Sequence, residues 1–164
     1  MPPAPLVIVQ PDDAPSFWQP VPANGFVRCI LASAGIGAEA AFSMGTQTVD
    51  PGCFVREHVH PDHEEVIFIL DGEGEALLDG RDTAALVKGT CLFIGRNRPH
   101  RFQASADAPM SFIWLIMPGG LEGFFERIGR PRQPGAPQPD NFPRPPDVLR
   151  IEAETVFGAL SPKT

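Results

Sequence analysis

Gly52-Cys53-Phe54-Val55-Arg56-Glu57-His58-Val59-His60-Pro61-Asp62-His63-Glu64-Glu65 carries three of the four histidines in this 164-residue chain, and continues through Val66-Ile67-Phe68-Ile69-Leu70 to Asp71-Gly72. His58 and His60 are two residues apart. In an extended strand that spacing puts both rings on one face, with roughly 6 to 7 Å between their Cα atoms, a separation that suits two imidazoles reaching one metal ion. Glu65 opens the apolar run, so a carboxylate can return to the same place from a neighbouring strand. A one-residue bulge would turn Glu64 inward in its place, and both stay open here. The fourth histidine, His100, closes the stretch Gly89-x5-Gly95-x3-Pro99-His100, again beside apolar strand material and a turn.

Working outward, short β-like runs separated by turn residues fill the middle of the chain. Phe26 to Ala32 and Ala40 to Val49 read as strands, the second with Phe42, Met44, Thr46 and Thr48 on one face. Asp50-Pro51-Gly52 is a turn. Asp79-Gly80 between Glu75–Leu78 and Thr83–Val87 is a hairpin signal, and further strands are expected at Thr90 to Ile94, Arg101 to Ala104 and Ser111 to Met117. Many short strands with turns every eight to twelve residues indicate an all-β sandwich or barrel. Leu121, Phe124, Phe125 and Ile128 then recur at three- and four-residue steps after Pro118-Gly119-Gly120, which predicts one amphipathic helix stopped by Gly129. Val148 to Phe157 reads as a terminal helix or strand.

Proline is concentrated at the two ends: seven lie between Pro2 and Pro22 and eight from Pro131 onward. The expected organisation is an N-terminal arm over 1–24, a β-barrel over 25–118 and a helix with a Pro-rich extension over 119–164. Leu6 to Val9, set between prolines, suits an edge strand or an arm laid on another subunit. A formal net charge of −7 makes nucleic acid and anionic membranes poor partners. Three widely spaced cysteines without C-x-x-C argue against a disulfide framework and for a reducing, cytoplasmic setting. No apolar run reaches membrane-spanning length, and Met1 to Pro5 lacks the features of a secretory signal.

Written as a pattern, Gly52 to Gly72 is G-x5-H-x-H-x4-E-x6-G, and it resembles the first motif of the cupin superfamily. Gly89 to His100 resembles the second motif: Gly95, Asn97 and His100 stand at its positions, while Ala104 stands where the family usually has Asn. The segment after the barrel resembles that of small cupins related to quercetin dioxygenase. The resemblance implies a double-stranded β-helix (jelly-roll) barrel, a homodimer with exchanged arms, and His58, His60, Glu65 and His100 as ligands of one divalent transition metal ion.

Three neutral imidazoles and one carboxylate favour a first-row ion such as Fe, Mn, Ni or Zn over calcium or magnesium, and leave positions open for a small-molecule substrate, dioxygen or water. The expected chemistry is dioxygenase-like oxidation of a small aromatic or enolic substrate, with Glu65 as ligand and proton acceptor. A metal-dependent isomerase, lyase or decarboxylase is the alternative enzyme, and a non-catalytic binding protein the third reading. The sugar epimerases of the superfamily typically use a tyrosine, and this chain has none. Arg56 shares strand parity with His58 and His60, which would point it into the cavity or leave it in a rim salt bridge. Cys53 is expected to point away from the metal, and His63 to be a loop residue. Phe42, Met44, Phe102, Phe112 and Trp114 are candidates for the cavity wall.

Overall fold

A computed structural model describes residues 3–160 of the chain. In chain order its elements are β1 (Ser16–Trp18), β2 (Phe26–Ala32), α1 (Ser33–Ile36), β3 (Ser43–Val49), β4 (Phe54–His58), β5 (Glu64–Asp71), β6 (Glu73–Leu78), β7 (Asp82–Val87), β8 (Cys91–Ile94), β9 (His100–Ala104), β10 (Met110–Met117), α2 (Leu121–Ile128), β11 (Arg130–Pro131) and α3 (Val148–Ala153). The strands form two antiparallel sheets. One has the order β11-β1-β2-β3-β10-β5-β8, the other β4-β9-β6-β7. Strands distant in sequence are neighbours in both, as a jelly roll requires, and the two sheets remain separate ladders rather than a closed ring.

Period-2 burial on the strands builds the core between the sheets. Met110, Phe112, Trp114 and Ile116 alternate inward on β10, and Ile67 and Ile69 do so on β5. Glu65 lies two residues before Ile67 and therefore shares its inward face, whereas Glu64 takes the opposite one. On β3 the buried residues are Ser43, Gly45, Gln47 and Val49, so the strand faces the other way from the apolar Phe42–Met44 side. The reason lies on the neighbouring strand. Gly45 pairs with Trp114 of β10, and a Cβ on Gly45 would stand 2.0 Å from the Arg28 carbonyl oxygen and 2.4 Å from the Trp114 ring. The indole fills the space that the small β3 residues leave empty.

The hairpin between β6 and β7 turns through Asp79 and Gly80, both with positive φ (53° and 67°). Helix α2 buries Leu121, Phe124, Phe125 and Ile128. Burying side chains of this size contributes about 1.5–3 kcal/mol each. The edge-strand alternative for Leu6 to Val9 fails, while the helix alternative within Val148 to Phe157 is found. Leu6 to Val9 joins neither sheet: prolines on both sides remove donors, and Leu6 and Ile8 are exposed. Val148 to Phe157 resolves into a short helix followed by an irregular segment, and α1 is a single helical turn that carries no periodic apolar signal. Among the described residues no helix is long and apolar enough to cross a membrane.

Candidate metal centre

Four side chains from three strands and a loop converge at one end of the space between the sheets. His58 ends β4, His60 follows it in the loop, Glu65 is the second residue of β5 and His100 begins β9. One potential ligand atom from each lies within 4.8 Å of the other three. His60, Glu65 and His100 are buried, and His58 is half-buried. The β4–β9 ladder pairs His58 directly with His100, so the register itself brings together residues distant in sequence. A register shift between Val55 and His58 inserts an extra residue in β4. The strand is therefore not regular there, and Arg56 does not keep the parity of His58. Its side chain, 45% exposed, reaches the rim of the cavity and stands 4.0 Å from Glu152.

Each of the three clustered histidines has its Nδ1 against a backbone carbonyl: His58 with Arg56 (2.7 Å), His60 with Val156 (2.8 Å) and His100 with Arg98 (2.8 Å). A carbonyl oxygen only accepts, so each Nδ1 carries the proton and donates it. The three Nε2 atoms are left for the centre. Oε2 of Glu65 is 3.1 Å from Nε2 of His100 and 3.7 Å from Nε2 of His60, and Nε2 of His60 has no hydrogen-bond partner. Two lone-pair bearers facing each other at such distances repel unless a proton or a cation lies between them. The donor set thus fits a divalent ion, with its outer partners already in place. Burial, followed by the neighbouring His100 and His60, holds the proton affinity of His58 well below the usual imidazole value. Burial also lowers that of His60 against the opposing pull of Glu65. Neutral rings are the form a metal requires.

The support around the cluster is specific. The Asn97 N–H donates to the His60 carbonyl (2.8 Å), and the Asp79 N–H to the Pro99 carbonyl (2.8 Å). Arg98 holds the Asp79 carboxylate through Nε at 2.9 Å, and that bond keeps the Asp79 carboxyl below the usual range. The β6–β7 hairpin tip therefore fixes the loop that delivers His100. His63 is half-buried and outside the cluster, its ring centroid 6.4 Å from that of His60. Cys53 is also outside it; it packs against the core and its sulfur receives Asn24 at 3.5 Å.

A cavity opens beside the four donors. Phe102, Phe112 and Trp114 line it as the sequence suggested, whereas Phe42 and Met44 do not, because β3 presents its other face. Leu121, Phe124 and Phe125 of α2 add to the wall, and the segment after α3 completes it. Phe157 packs on Phe124 (4.4 Å between centroids), His60 (5.0 Å) and His58 (5.3 Å), and the Gly158 N–H donates to the Val59 carbonyl at 3.0 Å. Arg144 and Glu152, which form an ion pair, stand with Arg56 at the cavity. None of Arg144, Glu152, Val156 or Phe157 was a candidate from the sequence. Their only signal would have been contact across nearly a hundred residues, which no local pattern carries.

Strand order, ladder register and the clustered donors are those of a cupin jelly roll, and residues 45–116 match the family model of the cupin domain. The chain belongs to the cupin family. It is 28% identical over 105 residues to tetracenomycin polyketide synthase protein TcmJ of Streptomyces glaucescens, covering 64% of this chain and 66% of that one. Over 95 residues it is 33% identical to protein SchB of Streptomyces halstedii, covering 58% of this chain and 67% of SchB. About a third of each relative thus lies outside the match. The crystal structure of the polyketide cyclase RemF from Streptomyces resistomycificus superimposes with a TM-score of 0.57 at 22% identity, covering 68% of this chain and 79% of that one.

Proposed function

We infer that the protein is a metal-dependent cupin enzyme acting on a small, enolisable aromatic substrate of polyketide type, with His58, His60, Glu65 and His100 holding one divalent transition metal ion. The observation that carries this reading is the set of three Nδ1–carbonyl bonds, which leaves three imidazole Nε2 atoms and one carboxylate oxygen aimed at a common point. A bound ion would supply Lewis acidity, making a phenolic or enolic hydroxyl ionise near neutral pH. Glu65 is placed to accept the proton released there. The aromatic wall excludes water and orients a flat ring, burial keeps His58 and His60 neutral, and the three backbone carbonyls fix each imidazole in a single tautomer.

TcmJ is a polyketide synthase protein and RemF a polyketide cyclase, which favours ring closure on a polyketide-type chain, whereas the open positions of the ligand set suit dioxygenase chemistry. Exposed Leu6, Val7 and Ile8 fit an arm packed on a second copy, and a homodimer in the cytoplasm belongs to the proposal. Metal-loaded protein incubated with 1,3-diketones, flavonols and polyphenolic polyketides, with and without air, tests the reading by mass spectrometry. Anaerobic conversion is the expected result and makes the protein a cyclase or isomerase, and conversion only in air makes it a dioxygenase. Absence of conversion under either gas, with stoichiometric metal bound, refutes an enzymatic role.

A further inference from the structure

At the rim of the cavity two arginines share one carboxylate. Arg144 comes from the proline-rich extension, Arg56 from the irregular part of β4 and Glu152 from α3. Glu152 accepts a hydrogen bond from Nη2 of Arg144 and lies 4.0 Å from Nη1 of Arg56. Glu57 also lines the cavity, so formal charge at the rim is balanced. What is left over is a donor: Nη1 of Arg144 is shielded from solvent and has no acceptor. The Arg144 side chain as a whole is only 16% exposed. A guanidinium N–H kept from water without a partner is costly. A fork with one side bonded and the other empty has the shape that receives a second carboxylate. Trp114 adds a further unpaired donor, its buried Nε1, among the residues of the same cavity.

We propose that Arg144, flanked by Arg56, docks a carboxylate on the substrate, so that the cavity takes aromatic acids: a ring against the phenylalanine wall and an ionised carboxyl at the rim. Oxygen substituents on the ring are the acceptors that Trp114 lacks. This rests on the reading of the cavity as a substrate site, but not on the reaction carried out there. Arg144 is a binding residue that selects acids over their neutral analogues, and Glu152 is the internal competitor that holds the fork in place while the site is empty.

The probes are the ω-phenylalkanoates from phenylacetate to 5-phenylpentanoate and their primary amides, titrated calorimetrically into the full-length, metal-loaded protein. At the best chain length the acid should bind about tenfold tighter than the amide, the range of a charge-assisted hydrogen bond. Arg144→Gln should bring the two within about twofold of each other. Glu152→Gln, which removes the competitor, should tighten the acid several-fold and leave the amide unchanged. A merely structural ion pair would instead weaken acid and amide alike in both variants, and that outcome overturns the proposal. So does equal binding of acid and amide at every length, or no binding by either. A preference that survives Arg144→Gln but disappears in His100→Ala would assign the carboxylate to the metal and also overturn it. An intact acid preference in a protein that converts no substrate would remove the proposed enzymatic role and leave this site standing.

Discussion

Phe157→Ala tests whether the segment after α3 holds the metal centre together. The half-buried Phe157 ring contacts Phe124, His60 and His58. A fully buried Phe contributes about 1.5–3 kcal/mol and an aromatic pair about 0.5–1.5 kcal/mol. Counting half of the first and all of the second gives a loss of about 1.3–3 kcal/mol. For a chain of this size that corresponds to a fall in Tm of about 3–12 °C. The same loss weakens the docking of the segment, and with it the hold of the Val156 carbonyl on the His60 tautomer. Losing an outer-shell partner of a ligating histidine costs about 10–100-fold in metal affinity. Competition with a chromophoric chelator for Co²⁺ or Zn²⁺ measures this without any substrate. Leu149→Ala on α3, where the side chain is 72% exposed, is the control and should change neither quantity. If Phe157→Ala lowers Tm but leaves metal affinity within twofold of wild type, the segment is packing alone and the support assigned to it is wrong.

Glu65→Gln should abolish stoichiometric metal binding measured by elemental analysis, while Glu64→Gln, outside the clustered donors, should retain it; the reverse result would mean that β5 presents its other face to the ion. In metal-free protein the lowered proton affinities of His58 and His60 make the unfolded chain take up protons first as pH falls. Stability is therefore whole above about pH 6.5, the unfolded value, and is lost below it through the lowered folded values; a Tm that rises between pH 7 and pH 5 with chelator present contradicts the assigned burial.

The strands and α2 were legible because alternation and helical spacing are local properties. Phe26 to Ala32 and Leu121 to Ile128 coincide with β2 and α2 residue for residue. The four clustered donors are the set that the cupin resemblance implied; residue spacing alone left Glu64 and Glu65 open, and His60 lies in the loop after β4 rather than on the strand. The orientation of β3 was not. Its inward face is small and polar, and only the partner strand's Trp114 explains why Gly45 and Gln47 face the core. Nor could regular parity place Arg56, since the irregularity that moves it lies in the pairing of β4 with β9, not in either strand alone. Arg144 and the Phe157 segment were invisible for a third reason. They meet the centre by closing a long loop, and a proline-rich tract gives no periodicity by which to foresee where it lands.

The carbonyl that orients His60 belongs to a residue 96 positions further along the chain. A nascent polypeptide that has emerged as far as Met117 already possesses all four donors and every strand that presents them, yet it has a cup without a cover. If the four donors hold an ion as proposed, its uptake at full affinity waits until residue 158 has been made, and a chain interrupted before that point would leave the donors without their cover.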